Sequence, residues 1–264
     1  MIPILYESGF VSIQTLWIFA VIALLVASYL AIERLKRARV NFTLLVSESS
    51  FFLIWSLMGS RIVYFATHTD TYLPSLDLRT LGNFLAIWDQ GFSFWGATIA
   101  FSLAMFYKLR KSEENIWKWI DALSVAFLVG ISIGMLGAFL GGYSYGTPTD
   151  LPWGILYESF NVKYTVPVHP VQLYEIAAIG LILLGKKTLS KKTHGLETEG
   201  NSGLYFGTSY FLVSFILEFL RGDDTLLILG IRLPQIAYLI LALVCGYTLY
   251  KRIKPSQHGS HQTV

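Results

Sequence analysis

Apolar and polar positions along this chain fall into long blocks rather than into a two-residue alternation. Seven stretches are almost unbroken apolar runs: Ile13–Ile32, Phe42–Ala66, Phe92–Tyr107, Ile120–Leu140, Val171–Leu184, Leu204–Leu220 and Pro234–Tyr250. A helix crossing a bilayer needs roughly 20 predominantly apolar residues, so each run predicts a spanning helix, the third and fifth being short. The polar blocks between them differ in kind. Those after the first, third, fifth and seventh runs are rich in Lys and Arg. Residues 67–90 and 142–168, after the second and fourth, mix Pro, Gly and aromatics with Asp70, Asp77, Asp89, Asp150 and Glu158. The pattern predicts an all-α integral membrane protein of about seven transmembrane helices.

Charge orients these helices. Fifteen of the 20 Lys and Arg residues lie in the four basic blocks; the others are Arg61, Arg79, Lys163, Arg221 and Arg232. Cytoplasmic loops carry the cationic excess, which places the N-terminus outside, the C-terminus in the cytoplasm and the two long loops outward. No Lys or Arg precedes Arg34, so the first run lacks the basic start of a cleavable signal and reads as a retained helix. No internal repeat or soluble boundary is visible. Residues 1–255 read as a single membrane-embedded domain and 256–264, with His258 and His261, as a polar cytoplasmic tail.

Composition narrows the class further. Hydrophobic residues make up 54% of the chain and charged ones 14%, against about 25% charged in an ordinary soluble domain. That excludes a disordered chain and argues against a soluble enzyme. A net charge of +3 is too small a surplus for a nucleic-acid binder. The lone Cys245 excludes an internal disulfide and a cysteine-based metal site. With no metal signature and no nucleotide-binding loop, no cofactor is expected.

An ionisable residue within a span costs about 2.5–3.5 kcal/mol on insertion scales, so Glu48, Arg61, Asp121, His169, Glu175, Glu218 and Arg221 each need a reason. Glu48 and Asp121 lie near inner helix ends, where structural roles fit. Arg61 and Arg221 lie near outer ends, where they could reach headgroup phosphates or serve a substrate. Glu218 and Arg221 are three apart and can pair. Gly130, Gly134, Gly137 and Gly141 share one helix face, a pattern that lets helices approach closely. His169, Gln172 and Glu175 form a polar stripe at the start of the fifth run, with Pro170 suited to the first helical turn.

This stripe, His169-Pro170-Val171-Gln172-Leu173-Tyr174-Glu175, resembles the motif of the bacterial prolipoprotein diacylglyceryl transferases. Further likenesses follow in the family's order: Val11-Ser12-Ile13, Gly59-Ser60-Arg61 with Tyr64, Gly91-Phe92-Ser93-Phe94 before Gly96, Thr149-Asp150-Leu151-Pro152-Trp153-Gly154, and Glu218-Phe219-Leu220-Arg221. The resemblance implies a multi-pass protein of the bacterial-type plasma membrane that moves diacylglycerol from a phosphatidylglycerol-like phospholipid to the cysteine of a lipoprotein precursor. It implies His169, Glu175 and Glu218 as catalytic residues and Arg61, Gln172, Tyr174, Tyr210 and Arg221 as substrate-binding ones. At six positions the chain departs from the pattern. Leu16 stands for a Tyr, Trp95 for a His, Met135 for an Arg, Ala138 for an Asn, Tyr143 for a Glu and Ser214 for an Arg. These changes leave two other expectations beside a diverged transferase: a catalytically silent lipid-binding homologue, or an enzyme of the same fold acting on a different lipid or acceptor.

Overall fold

The computed structural model describes residues 2–8, 11–69, 82, 84, 91–159, 161–190 and 194–253. Asp70, Asp77, Arg79, Asp89, Lys191, Lys192, Lys254 and the tail 256–264 lie outside the described residues. The structure is mostly helical, and among the described residues five helices are long and apolar enough to cross a membrane. Packing separates residues 1–38 with 117–264 from residues 39–116.

The larger unit opens with a hairpin of β1 (Ile4–Ser8) and β2 (Val11–Gln14), in which Tyr6 faces Ile13. The first apolar run therefore begins as strand, and α1 spans Thr15–Arg37. Its start is fixed by Thr15, whose amide and hydroxyl donate to the carbonyls of Pro3 and Ile2. The later helices of this unit are α5 (Ile116–Gly141), α6 (Val171–Ser190), α7 (Asn201–Leu217) and α8 (Leu233–Ile253). Helix α7 packs against both α6 and α8. The glycine face of α5 meets α1 as its spacing predicts. A Cβ at Gly130 would lie 3.2 Å from Ala27, and one at Gly137 would strike Phe19. Gly134 differs, with open space where its side chain would be.

Asp121 has a structural task. Its two carboxylate oxygens accept from the amides of Gly200 (2.6 Å) and Gly203 (2.7 Å). Gly200, the residue at the N-cap of α7, has no side chain to do this, so Asp121 of α5 caps the helix from outside and favours its positive end.

In the smaller unit, α2 (Thr43–Ser47) and α3 (Ser49–Thr67) replace the single long run expected there. The break falls at Glu48, whose carboxylate pairs with Lys108 at 2.6 Å. Helix α4 (Phe94–Lys111) is capped by Ser93, whose Oγ accepts from Gly96 N. Gly59 of α3 and Gly96 of α4 bring their backbones so close that a Cβ on either would collide with the other helix.

Burial is inside-out by the standard of a soluble protein. Only 11% of the apolar window of α1 and 17% of that of α8 is buried, while Leu25, Leu181, Leu184 and Leu243 are exposed. Water would not tolerate such continuous apolar surface; hydrocarbon covers it without cost, and each helix satisfies its own backbone.

Candidate functional site

Residues 142–170 form a folded loop rather than a linker. Tyr145, Tyr157 and Val168 make a small core joined by Phe139, Ile155, Val162 and Tyr164. Backbone pairing ties the loop to the helices. His169 N donates to Thr147 O, Gly146 N to His169 O, Thr147 N to Leu220 O, and Gly222 N to Tyr145 O. Residues 145–147 thus lie between the entry to α6 and the exit from α7, holding His169 and Arg221 to one short segment. Close approach makes glycine necessary here: a Cβ at Gly146 would meet His169, and one at Gly222 would meet the Gly146 carbonyl.

The polar stripe divides its work among different partners. Gln172, fully buried, donates from Nε2 to the carbonyl of Tyr143 (2.6 Å) and accepts the Tyr157 hydroxyl at Oε1 (3.1 Å). That anchors the loop to α6. His169 is half-buried, with Nδ1 3.3 Å from Tyr174 Oη, and Trp153 Nε1 donates to the same phenol at 2.7 Å. In the tautomer whose Nδ1–H donates to Tyr174, Nε2 keeps its lone pair and can take a proton.

Glu175 lies one turn deeper and is 1% exposed. It accepts from the Tyr210 hydroxyl (2.8 Å) and from Arg221 Nη2 (3.0 Å). Arg221 also faces Glu218 at 3.4 Å, the pairing expected from their spacing, and Asp223 at 3.9 Å. Burial works against the Arg221 charge, but Glu175, Asp223 and Glu218 outweigh it and hold the guanidinium above its ordinary pKa. Arg232 completes the group. It donates to Glu218 Oε1 and to Asp223 Oδ1, each at 2.8 Å. It belongs to β4 (Ile231–Arg232), paired with β3 (Leu227–Ile228) in a second small hairpin. Three carboxylates and two guanidiniums thus satisfy one another at one end of α7, as buried charges must. Ser214, where the resembled pattern has an arginine, is buried on the same helix, one turn from both Tyr210 and Glu218.

Of the eight residues proposed from sequence, seven lie in the larger unit. Glu175, Tyr210, Glu218 and Arg221 meet directly, His169 pairs with Tyr174, and Gln172 braces the loop. Arg61 belongs to the smaller unit. It is 3% exposed. Its Nε donates to Phe84 O (3.1 Å) and Nη1 to Gly91 O (3.0 Å). Sequence reasoning missed Arg232, Asp223, Tyr157 and Trp153 as members of these networks. The signal for Arg232 was present, since it is one of only five cations outside the basic blocks.

The arrangement offers a proton acceptor near the loop and a dense, self-compensated charge cluster beneath it. Among the described residues, no group of His, Cys, Asp and Glu is disposed to hold a metal. Known proteins connect this arrangement to a chemistry. The family profile of prolipoprotein diacylglyceryl transferases matches residues 3–251. A phosphatidylglycerol–prolipoprotein diacylglyceryl transferase of Campylobacter lari is 29% identical over 231 residues, covering 84% of this chain and 82% of its own length. Its namesake in Campylobacter hominis is 29% identical over 250 residues, covering 90% and 86%. That of Geobacter sulfurreducens is 33% identical over 171 residues, covering 64% and 61%. Extending over nearly the whole sequence, the match shows that this chain belongs to the prolipoprotein diacylglyceryl transferase family.

Proposed function

We propose that this protein is a diacylglyceryl transferase with an altered active site, acting on an anionic phospholipid and the cysteine of a lipoprotein precursor. In this reading the acceptor sulfur attacks the glycerol carbon that carries the phosphate. A carbon–sulfur bond forms, the carbon–oxygen bond breaks, and glycerol phosphate leaves. The thiol must first lose its proton, and thiolate is the nucleophile; His169 Nε2 takes it. Arg221 serves the phosphate, whose charge grows as it departs; Arg61 is taken as a substrate-binding residue within the smaller unit. Glu175 and Glu218 set the position of Arg221, Gln172 and Tyr210 hold the loop and Glu175 in place, and Tyr174, beside His169, meets the lipid. The observation that carries the reading is the buried Glu175–Arg221–Glu218 network beside the strand-like segment that holds His169. The reading further takes all seven apolar helices as spans of the bacterial-type plasma membrane, N-terminus out and C-terminus in. It takes residues 1–255 as one membrane-embedded domain and 256–264 as a cytoplasmic tail.

The test is transfer in vitro. Purified protein in phosphatidylglycerol vesicles is given a lipobox peptide, and the peptide's mass is followed. A gain of one diacylglyceryl group supports the reading; a rate equal to that without protein rejects it. Restoration of lipoprotein modification in cells lacking their own transferase is the cellular counterpart.

One observation favours a second reading, a lipid-binding homologue without turnover. Arg221 and Arg232 are both bound to carboxylates, and the cluster carries one more acid than base. Such a site repels a phosphate that a freer guanidinium would draw in. Phospholipid that co-purifies with the protein but is never consumed is the result this reading requires.

A further inference from the structure

At the end of α7 opposite the charge cluster, roughly 25 Å away along the 17-residue helix, lies a cleft of about 340 Å³. Its walls are Arg34, Arg37 and Ala38 from the end of α1, Lys118, Asp121 and Ala122 from the start of α5, and Glu197 and Glu199 from the segment before α7. Three bases and three acids balance in number, but the direct contacts are uneven. Asp121 gives both oxygens to the amides of Gly200 and Gly203. Glu199 pairs with Lys118 at 3.3 Å, and Glu197 accepts from Ser190 at 2.9 Å. Among the described residues, the guanidiniums of Arg34 and Arg37 make no ion pair and no hydrogen bond. They are one turn apart on α1 and line the same cleft, so each opposes the other's charge, and the carboxylate of Asp121 offsets this in part at Arg34.

We propose that this cleft is an anion site, in which Arg34 and Arg37 grip the phosphate of an anionic lipid headgroup or a free phosphate. Two guanidinium forks offer more donors than one phosphate can accept and match its geometry. The walls confine the site: both oxygens of Asp121 are held by backbone amides, which fixes its carboxylate without cancelling its charge, and the Glu199–Lys118 pair closes one rim without adding net charge. The site does not depend on the function proposed above.

Arginine footprinting of the full chain tests it. Protein is placed in nanodiscs of phosphatidylcholine, of phosphatidylcholine with phosphatidylglycerol, or of phosphatidylcholine with millimolar inorganic phosphate in the buffer. Each sample is treated with phenylglyoxal and mapped by peptide mass. Arg34 and Arg37 are expected to react at least threefold more slowly with phosphatidylglycerol than with phosphatidylcholine alone, while exposed Arg39 and Arg110 keep their rates. Equal protection by inorganic phosphate assigns the ligand as phosphate in general; none assigns it as the headgroup. Unchanged rates at Arg34 and Arg37 in every condition, or the same slowing at Arg39 and Arg110, overturn the proposal, because the latter is only surface potential.

Discussion

Glu175 is the side chain on which most of the candidate site converges. It holds Tyr210 through one oxygen and Arg221 through the other while 1% exposed. Glu175→Gln removes the charge and keeps the shape, leaving Arg221 with the more distant Glu218 and Asp223. Breaking a buried pair from one side costs about 3 kcal/mol, so the thermal midpoint of the detergent-solubilised protein should fall by several degrees. With Arg221→Met added, the loss should be smaller than the sum of the two single losses; additivity within about 0.5 kcal/mol would show the pair to be uncoupled. Tyr157 gives a pH-dependent counterpart in the loop. Burial pushes its phenol up to about 12, partly opposed by the bond to Gln172. An unfolded chain loses that proton near pH 10, so the contribution to stability is complete below pH 10 and disappears as pH climbs toward 12. Tyr157→Phe should flatten the thermal midpoint over that window relative to wild type; parallel curves would contradict this.

Helices were legible in the sequence because a spanning segment declares itself by composition alone. Their ends were less so. Ile13 and Gln14 went to a hairpin and Glu48 split a run in two, since a strand pairing and an ion pair with Lys108 leave no local period to read. The glycine face of α5 was legible in position, although only close contacts tell Gly137, against Phe19, from Gly134, against nothing. Least visible was the backbone pairing of residues 145–147 with both 169 and 220–222, which joins segments far apart in sequence. For the same reason the stripe His169–Gln172–Glu175 was found, but not its division among three sets of partners. Gly146→Ala should therefore cost about 1–3 kcal/mol through overpacking and speed proteolysis within residues 147–167. Gly134→Ala should be neutral or gain up to about 1 kcal/mol from helix propensity. Equal effects of the two would refute the distinction drawn from their surroundings.

The whole molecule carries its charge asymmetrically, and the sidedness inferred from this can be checked directly. In a Cys245→Ser background, Ser8→Cys should react with a membrane-impermeant maleimide in intact spheroplasts. Lys187→Cys should react only after permeabilisation, and the reverse pattern would invert the orientation. Most side chains on the five long apolar helices are not buried in the protein, as the 11% burial of the α1 window illustrates, and a bilayer would cover them with lipid. A position of that kind answers to one demand, that its residue dissolve in hydrocarbon, and Leu, Ile, Val and Phe meet it almost equally. Identity can drift there with little effect on fitness, whereas Glu175, Arg221 and Gly146 must match particular neighbours. Relatives of this protein can therefore share an architecture while agreeing at fewer than a third of their positions.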